Sequence, residues 1–151
     1  MTAVVRPATE NDLATLLELE ARSFSVPWNE AAMESHLAAP YTLSLLLFED
    51  DVPVGYLLAG FIPPEGDLYR VAVLPEKRRR GYARLLLGAF LAAADEREVD
   101  ALWLDVRESN AAAIALYRSL GFSAVLKRDN YYRDPTEAAL VMTAKRPKES
   151  P

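Results

Sequence analysis

The chain holds 151 residues, 51% hydrophobic and 26% charged, which supplies enough apolar material for one packed core and excludes a disordered or collagen-like chain. Its 17 basic residues are outnumbered by 22 acidic ones, a net charge of −5, which argues against non-specific binding of nucleic acid or membrane surfaces by the whole fold. With no cysteine and one histidine, His36, there is no disulfide, zinc–thiolate site or cysteinyl acyl-enzyme, and no metal is expected.

The opening VVRPA predicts a short strand. Thr9 then starts a helix, with Asp12 three residues on completing an acidic capping box, and Leu13, Leu16, Leu17 and Phe24 give that helix one buried face. After a break at Val26-Pro27-Trp28, Asn29 caps a shorter helix that ends before Pro40. The strand-like runs YTLSLLLF and VGYLLAGFI follow, separated by a predicted turn over Asp50, Asp51, Val52 and Pro53. Gly55 and Gly60 point to a bulge or a close backbone approach in the second run. PPEGD reads as a loop into the strand LYRVAVLP, which runs on through KRRRGYA into a long helix, ARLLLGAFLAAADE. ALWLDVRE is a strand, and AAAIALYRSL a helix capped by Ser109 or Asn110 with Gly121 just past its end. SAVLKRDNYY and AALVMTAK close the chain as strands joined at Arg133-Asp134-Pro135. The order predicts a mixed α/β domain over residues 1–145, with helices on both faces of one sheet, and a polar tail over 146–151. No leader or membrane-spanning run is apparent, and the expected location is the cytoplasm.

The strongest chemical signal is the junction LYRVAVLPEKRRRGYARLLL. Unpaired N–H groups at a helix N-terminus, Gly81 beside them and the cations of Arg78, Arg79 and Arg80 suit a phosphate. The run is neither a Walker A loop nor a dinucleotide fingerprint, and a solvated basic helix start explains it equally well. In ALWLDVRE, alternation puts Trp103, Asp105 and Arg107 on one face. A mid-strand carboxylate so placed is a buried or cleft-lining acid whose pKa desolvation would raise towards a general base. An ion pair with Arg107 is the plainer alternative. Tyr117 fits a core aromatic better than a catalytic acid, Asn110 fits a helix cap, and His36 reads as structural or exposed. Phe24, Trp28, Tyr131 and Tyr132 fit either a substrate groove or ordinary packing.

Taken together, the element order and RRRGYA, read as Arg-x-x-Gly-x-Ala, resemble the GNAT superfamily of N-acetyltransferases, and within it the branch that acts on the N-terminal alanine of a ribosomal protein. FSVPW, YRVAVLPEKRRRGYARLLL, LWLDVRESNAAAIALYRSLGF and KRDNYYRDPTEAALVM carry the likeness over nearly the whole chain. The resemblance implies a mixed, mostly antiparallel central sheet of six or seven strands and acetyl-CoA as co-substrate. It implies that Val71, Ala72 and Val73 hold the pantetheine arm by strand-edge hydrogen bonds. Arg79, Arg80, Gly81, Tyr82, Ala83 and Arg84 would wrap the pyrophosphate, and Asn110 would touch CoA. Tyr117 would protonate the departing thiolate, and the family's glutamate base falls where this chain has Asp105, one methylene shorter. The implied acceptor is a protein N-terminus, with no direct nucleic-acid or membrane partner. The competing readings are acetylation of a small amine or a lysine side chain, a CoA-binding module without catalysis, and nucleic-acid binding through KRRR.

Overall fold

The computed structural model describes residues 2–146. Strand β1 (Ala3–Pro7) leads through a 3₁₀ turn (Glu10–Asp12) to helices α1 (Leu13–Ser23) and α2 (Glu30–Ala38), then to β2 (Thr42–Glu49), β3 (Val52–Ile62) and β4 (Glu65–Val73). A second 3₁₀ turn (Pro75–Lys77) precedes α3 (Tyr82–Glu96), β5 (Ala101–Arg107), α4 (Ala111–Ser119), β6 (Ser123–Tyr132) and β7 (Glu137–Lys145). The seven strands form one sheet in the order β1-β2-β3-β4-β5-β7-β6, antiparallel throughout except between β4 and β5. This is the predicted mixed α/β architecture. Among the described residues no helix is long and apolar enough to cross a membrane.

Local chemistry accounts for most boundaries. Thr9 and Asp12 form the predicted capping box, which here closes the 3₁₀ turn ahead of α1. Asn29 accepts from the Ala32 N–H and starts α2. Two predicted loops are shorter than expected. The turn after β2 is only Asp50-Asp51, both left-handed (φ 49° and 68°), the geometry of a two-residue hairpin whose twist matches its strands. Val52 and Pro53 already pair with Glu49 and Phe48, next to a bulge that tolerates the missing proline N–H. Likewise Glu65, Gly66 and Asp67 belong to β4, paired with both β3 and β5. Gly66 looks like a loop residue but is required by packing, since a Cβ there would lie 2.7 Å from the Phe61 ring and 2.8 Å from Leu102.

The helices cover both faces. Tyr56 of β3 reaches Glu20 of α1, whereas a Cβ on its neighbour Gly55 would meet Leu86 of α3 at 3.5 Å, so α1 and α3 lie on opposite sides of the sheet. Leu16 and Leu46 are fully buried, as are Leu57, Leu86, Phe90, Leu102 and Met142. Each such side chain contributes about 1.5–3 kcal/mol by leaving water.

One irregularity positions everything that follows. Leu58 pairs with Arg70 but Ala59 with Leu68, so Tyr69 is an extra residue in β4. The parallel pairing of β4 with β5 ends there, at Leu68 and Leu104. Beyond it β4 stays with β3 as far as Val73, while β5 stays with β7 as far as Arg107, and the sheet opens.

Candidate active site

The opening holds a cavity of about 470 Å³ lined by Val71, Asn110 and Tyr117 among others. A second, of about 620 Å³, is lined by Asp67, Trp103 and Arg128. Leu68, Tyr69, Arg70, Asp105, Tyr131 and Tyr132 line both, so they form the wall between the two halves of one cleft.

On the β4 side the wall is a strand edge. The Leu74 N–H donates to the Val54 carbonyl of β3 at 2.9 Å. Because successive residues of a strand turn their N–H and C=O groups to opposite sides, Ala72 also faces β3 while Val71 and Val73 face the opening. Arg78 Nε donates to the Val73 carbonyl at 3.2 Å, which leaves the Val73 N–H directed into the cleft.

The basic loop after β4 is built around backbone rather than side chains. Arg79 and Gly81 are both left-handed (φ 65° and 78°), and α3 starts on Gly81 with no side-chain cap. Its first N–H groups, at Tyr82, Ala83 and Arg84, therefore face outward as a positive helix terminus. The space over Gly81 is open, with nothing within 4 Å of where a Cβ would stand. The side chains turn elsewhere. Buried Glu49 at the end of β2 accepts from Lys77 Nζ and Arg80 at 2.6 Å each, and from the Tyr82 hydroxyl. The Lys77 hydrogen bond, then those of Tyr82 and Arg80, hold its carboxyl down at about 2. Arg84 reaches Ser119 Oγ at 3.1 Å. Sequence reasoning missed Glu49, whose only signal is an acid closing the apolar run LLLF.

Across the cleft, Asn110 caps α4 through its Oδ1, which accepts from the Ala113 N–H at 3.2 Å, and its Nδ2 is the group left for a ligand. Tyr117 is both things at once: a core aromatic, 7% exposed with its ring edge-on to Phe122 at 6.0 Å, and a cavity-lining phenol. Burial pushes its hydroxyl up to about 12, so it stays protonated at neutral pH. Leu102, Leu104 and Val106 are buried, as alternation predicts, and Asp105 lies on the opposite face, open to the cleft rather than desolvated. The alternative ion pair with Arg107 is not formed. Arg107 instead donates to the Arg133 and Pro135 carbonyls at 2.9 Å each and to Glu137 at 3.3 Å. Asp105 Oδ2 accepts from the Tyr131 hydroxyl at 3.1 Å. Tyr131 reaches it because β6 carries two extra residues: Arg128 and Tyr132 pair with Ala139 and Glu137, which stand only two apart.

Arg70, beside the bulge, was not singled out from sequence. It stacks 4.0 Å from the Phe24 ring centroid, donates to the Val26 carbonyl at 3.1 Å and pairs with Glu20 at 3.2 Å. Glu20 is fully buried and also accepts from the Trp28 N–H at 2.8 Å and from the Tyr56 hydroxyl. This network pins the segment between α1 and α2 over the cleft. His36 is structural: buried, with its ring centroid 5.5 Å from Trp28 and 5.8 Å from Tyr69, and desolvation lowers its pKa.

Known proteins resemble this chain over most of its length. Residues 13–122 match the acetyltransferase (GNAT) family. The [ribosomal protein bS18]-alanine N-acetyltransferase of Salmonella typhimurium is 39% identical over 135 residues, 87% of this chain and 89% of that protein. Its counterpart in Escherichia coli K12 is 37% identical over 133 residues, with the same coverage. The crystal structure of the ribosomal-protein-S18-alanine N-acetyltransferase from Escherichia coli superposes with a TM-score of 0.91 at 32% identity, over 99% of this chain and 97% of that one.

Proposed function

This chain belongs to the acetyltransferase (GNAT) family and is an acetyl-CoA-dependent N-acetyltransferase, and from that premise we propose that its acceptor is the N-terminal α-amine of a protein, a ribosomal protein beginning with alanine. The reading rests above all on the division of the cleft at Asp105, with an unpaired strand edge, Asn110 and Tyr117 on one side and an acid- and aromatic-lined cavity on the other. A ribosomal-protein acceptor supports a cytoplasmic location.

Acetyl-CoA fits the first side. The outward N–H of Val71 and Val73 suit the amides of its pantetheine arm, and the open backbone at Gly81 and the α3 terminus suits its pyrophosphate. It supplies a thioester carbonyl, and the chain's residues do the rest. Asp105, oriented by Tyr131, takes a proton from the amine as the N–C bond forms. Tyr117, protonated far above neutral pH, donates to the sulfur as the C–S bond breaks. A peptide α-amine with pKa near 7.7–8.0 is already roughly 10–17% neutral at pH 7, whereas a lysine amine near 10.4 is neutral to only about 0.04%. A short, solvent-open aspartate therefore suits an α-amine better than a lysine.

The test is thiol release from acetyl-CoA with an alanine-initiated peptide, free or blocked at its N-terminus. Turnover on the free peptide alone is expected, with Asp105→Ala and Tyr117→Phe each lowering it about 10²-fold or more. Equal rates on the blocked, lysine-containing peptide would overturn the α-amine assignment. Binding of acetyl-CoA with no release on any amine would favour a module without catalysis.

A further inference from the structure

Resting on that acetyl-transfer reading, we propose that Asp67 is a second proton-accepting carboxylate of the acceptor cavity, holding the incoming ammonium together with Asp105 and taking the proton that the amine must lose before it attacks.

Proton counting requires two departures. The ammonium carries three N–H hydrogens and the product amide one. The first proton leaves the ammonium for Asp67 and frees the nitrogen lone pair. As the N–C bond forms, the second passes to Asp105. The C–S bond then breaks, the thiolate takes a proton from Tyr117, and solvent re-protonates Tyr117 and collects the protons from both carboxylates. One proton is released per acetyl group transferred.

The geometry supplies the second acceptor. Asp67 stands opposite Trp103 in the short parallel pairing of β4 with β5, so its side chain shares the face that Trp103 and Asp105 occupy. Both carboxylates line the 620 Å³ cavity. The Asp105 carboxylate already accepts from Tyr131, whereas among the described residues no lysine or arginine forms an ion pair with Asp67. The charged and titratable groups facing this space are Glu65, Tyr69 and Arg70 from the strand of Asp67, Asp105 from β5, and Arg128, Tyr131 and Tyr132 from β6. Partial desolvation, followed by the charges of Glu65 and Asp105, raises the Asp67 carboxyl above the usual range and brings it nearer the amine it would serve.

The experiment is kcat/KM against pH for the full chain with the free-N-terminus alanine peptide, comparing the parent with Asp67→Asn and Asp67→Glu. Asp67→Asn is expected to lose about six- to tenfold near pH 7, where only roughly 10–17% of the amine is already neutral, and to recover most of it above the peptide's own pKa of about 8, where the amine arrives neutral. Asp67→Glu should retain most activity, and acetyl-CoA affinity should be unchanged in both. A loss independent of pH, or an Asp67→Asn variant within twofold of the parent throughout, overturns the role of Asp67 while leaving the transferase reading intact. A parent that turns over no free-amine peptide overturns both. Should Asp67→Asn fail to fold, the Asp67→Glu profile decides: an acid limb coincident with the parent's, at a rate reduced tenfold or more, also overturns the proposal.

Discussion

Glu20 and Glu49 do comparable work at two corners of the cleft. Each is a buried carboxylate satisfied by an arginine and a tyrosine hydroxyl, and each fixes a segment that borders the site. Removing Glu20 strands the Trp28 N–H, the Tyr56 hydroxyl and the Arg70 guanidinium together. Glu20→Ala should therefore cost about 3–5 kcal/mol, the range for losing one partner of a buried charge pair, read as a lower urea midpoint. KM for acetyl-CoA should also rise, because Phe24, Ser25 and Val26 of the α1–α2 segment line the cavity assigned to acetyl-CoA. Asp105, Asn110 and Tyr117, which line the cleft, were singled out in the sequence by strand alternation, a helix cap and the family resemblance. Glu20 and Glu49 were not, because the side chains they pair with lie far along the chain, Tyr56 at 36 residues from Glu20 and Lys77, Arg80 and Tyr82 at 28 to 33 from Glu49, and no local spacing relates them. The openness of Asp105 was equally hidden, since alternation gives the face of a strand residue but not what covers that face.

At the scale of elements, the loop before α3 is the clearest case of backbone conformation set for a purpose. Gly81 is left-handed, and the space beside it is empty, so an added methyl meets no protein atom. Gly81→Ala should then cost about 1–2 kcal/mol through backbone strain alone. A fall in acetyl-CoA affinity beyond that expected from stability, measured by calorimetry on the folded protein, would place the pyrophosphate there. Unchanged affinity would move it elsewhere. Element order and helix caps were readable because each has a local cause. Pro53 and Gly66 misled because proline and glycine usually mark loops, and here they sit within paired strands at a bulge and at a tight ring contact.

For the whole molecule, several acids are held below their usual range by partners: Glu49 by Lys77, Asp12 by Arg6, Asp95 by Arg146, and Glu137 by Ser109. A carboxyl depressed by folding stabilises the native state above its unfolded pKa and loses that contribution as pH falls through the folded value. For Glu49 the window runs from about 4.5 down to about 2. Buried His36, also depressed, adds an earlier loss that begins below its ordinary value of 6.5. Asp67 is shifted the other way and slightly offsets the decline. Urea midpoints should thus fall in two stages on acidification, and Glu49→Gln should flatten the lower stage while leaving the upper one in place. Arg146 joins this balance through two hydrogen bonds to Asp95 at 2.9 and 2.8 Å, and residues 147–151 of the expected tail lie outside the described structure.

The extra residue at Tyr69 has a consequence for how such a protein can change over time. With acetyl-CoA seated as proposed, the arm is gripped by main-chain amides of Val71 and Val73, which every amino acid except proline supplies alike. Cofactor recognition is then largely silent to side-chain drift along that edge. The side chains of the neighbouring acceptor cavity that take no part in the chemistry, Glu65 and Arg128 among them, are left free to be rewritten for a new substrate.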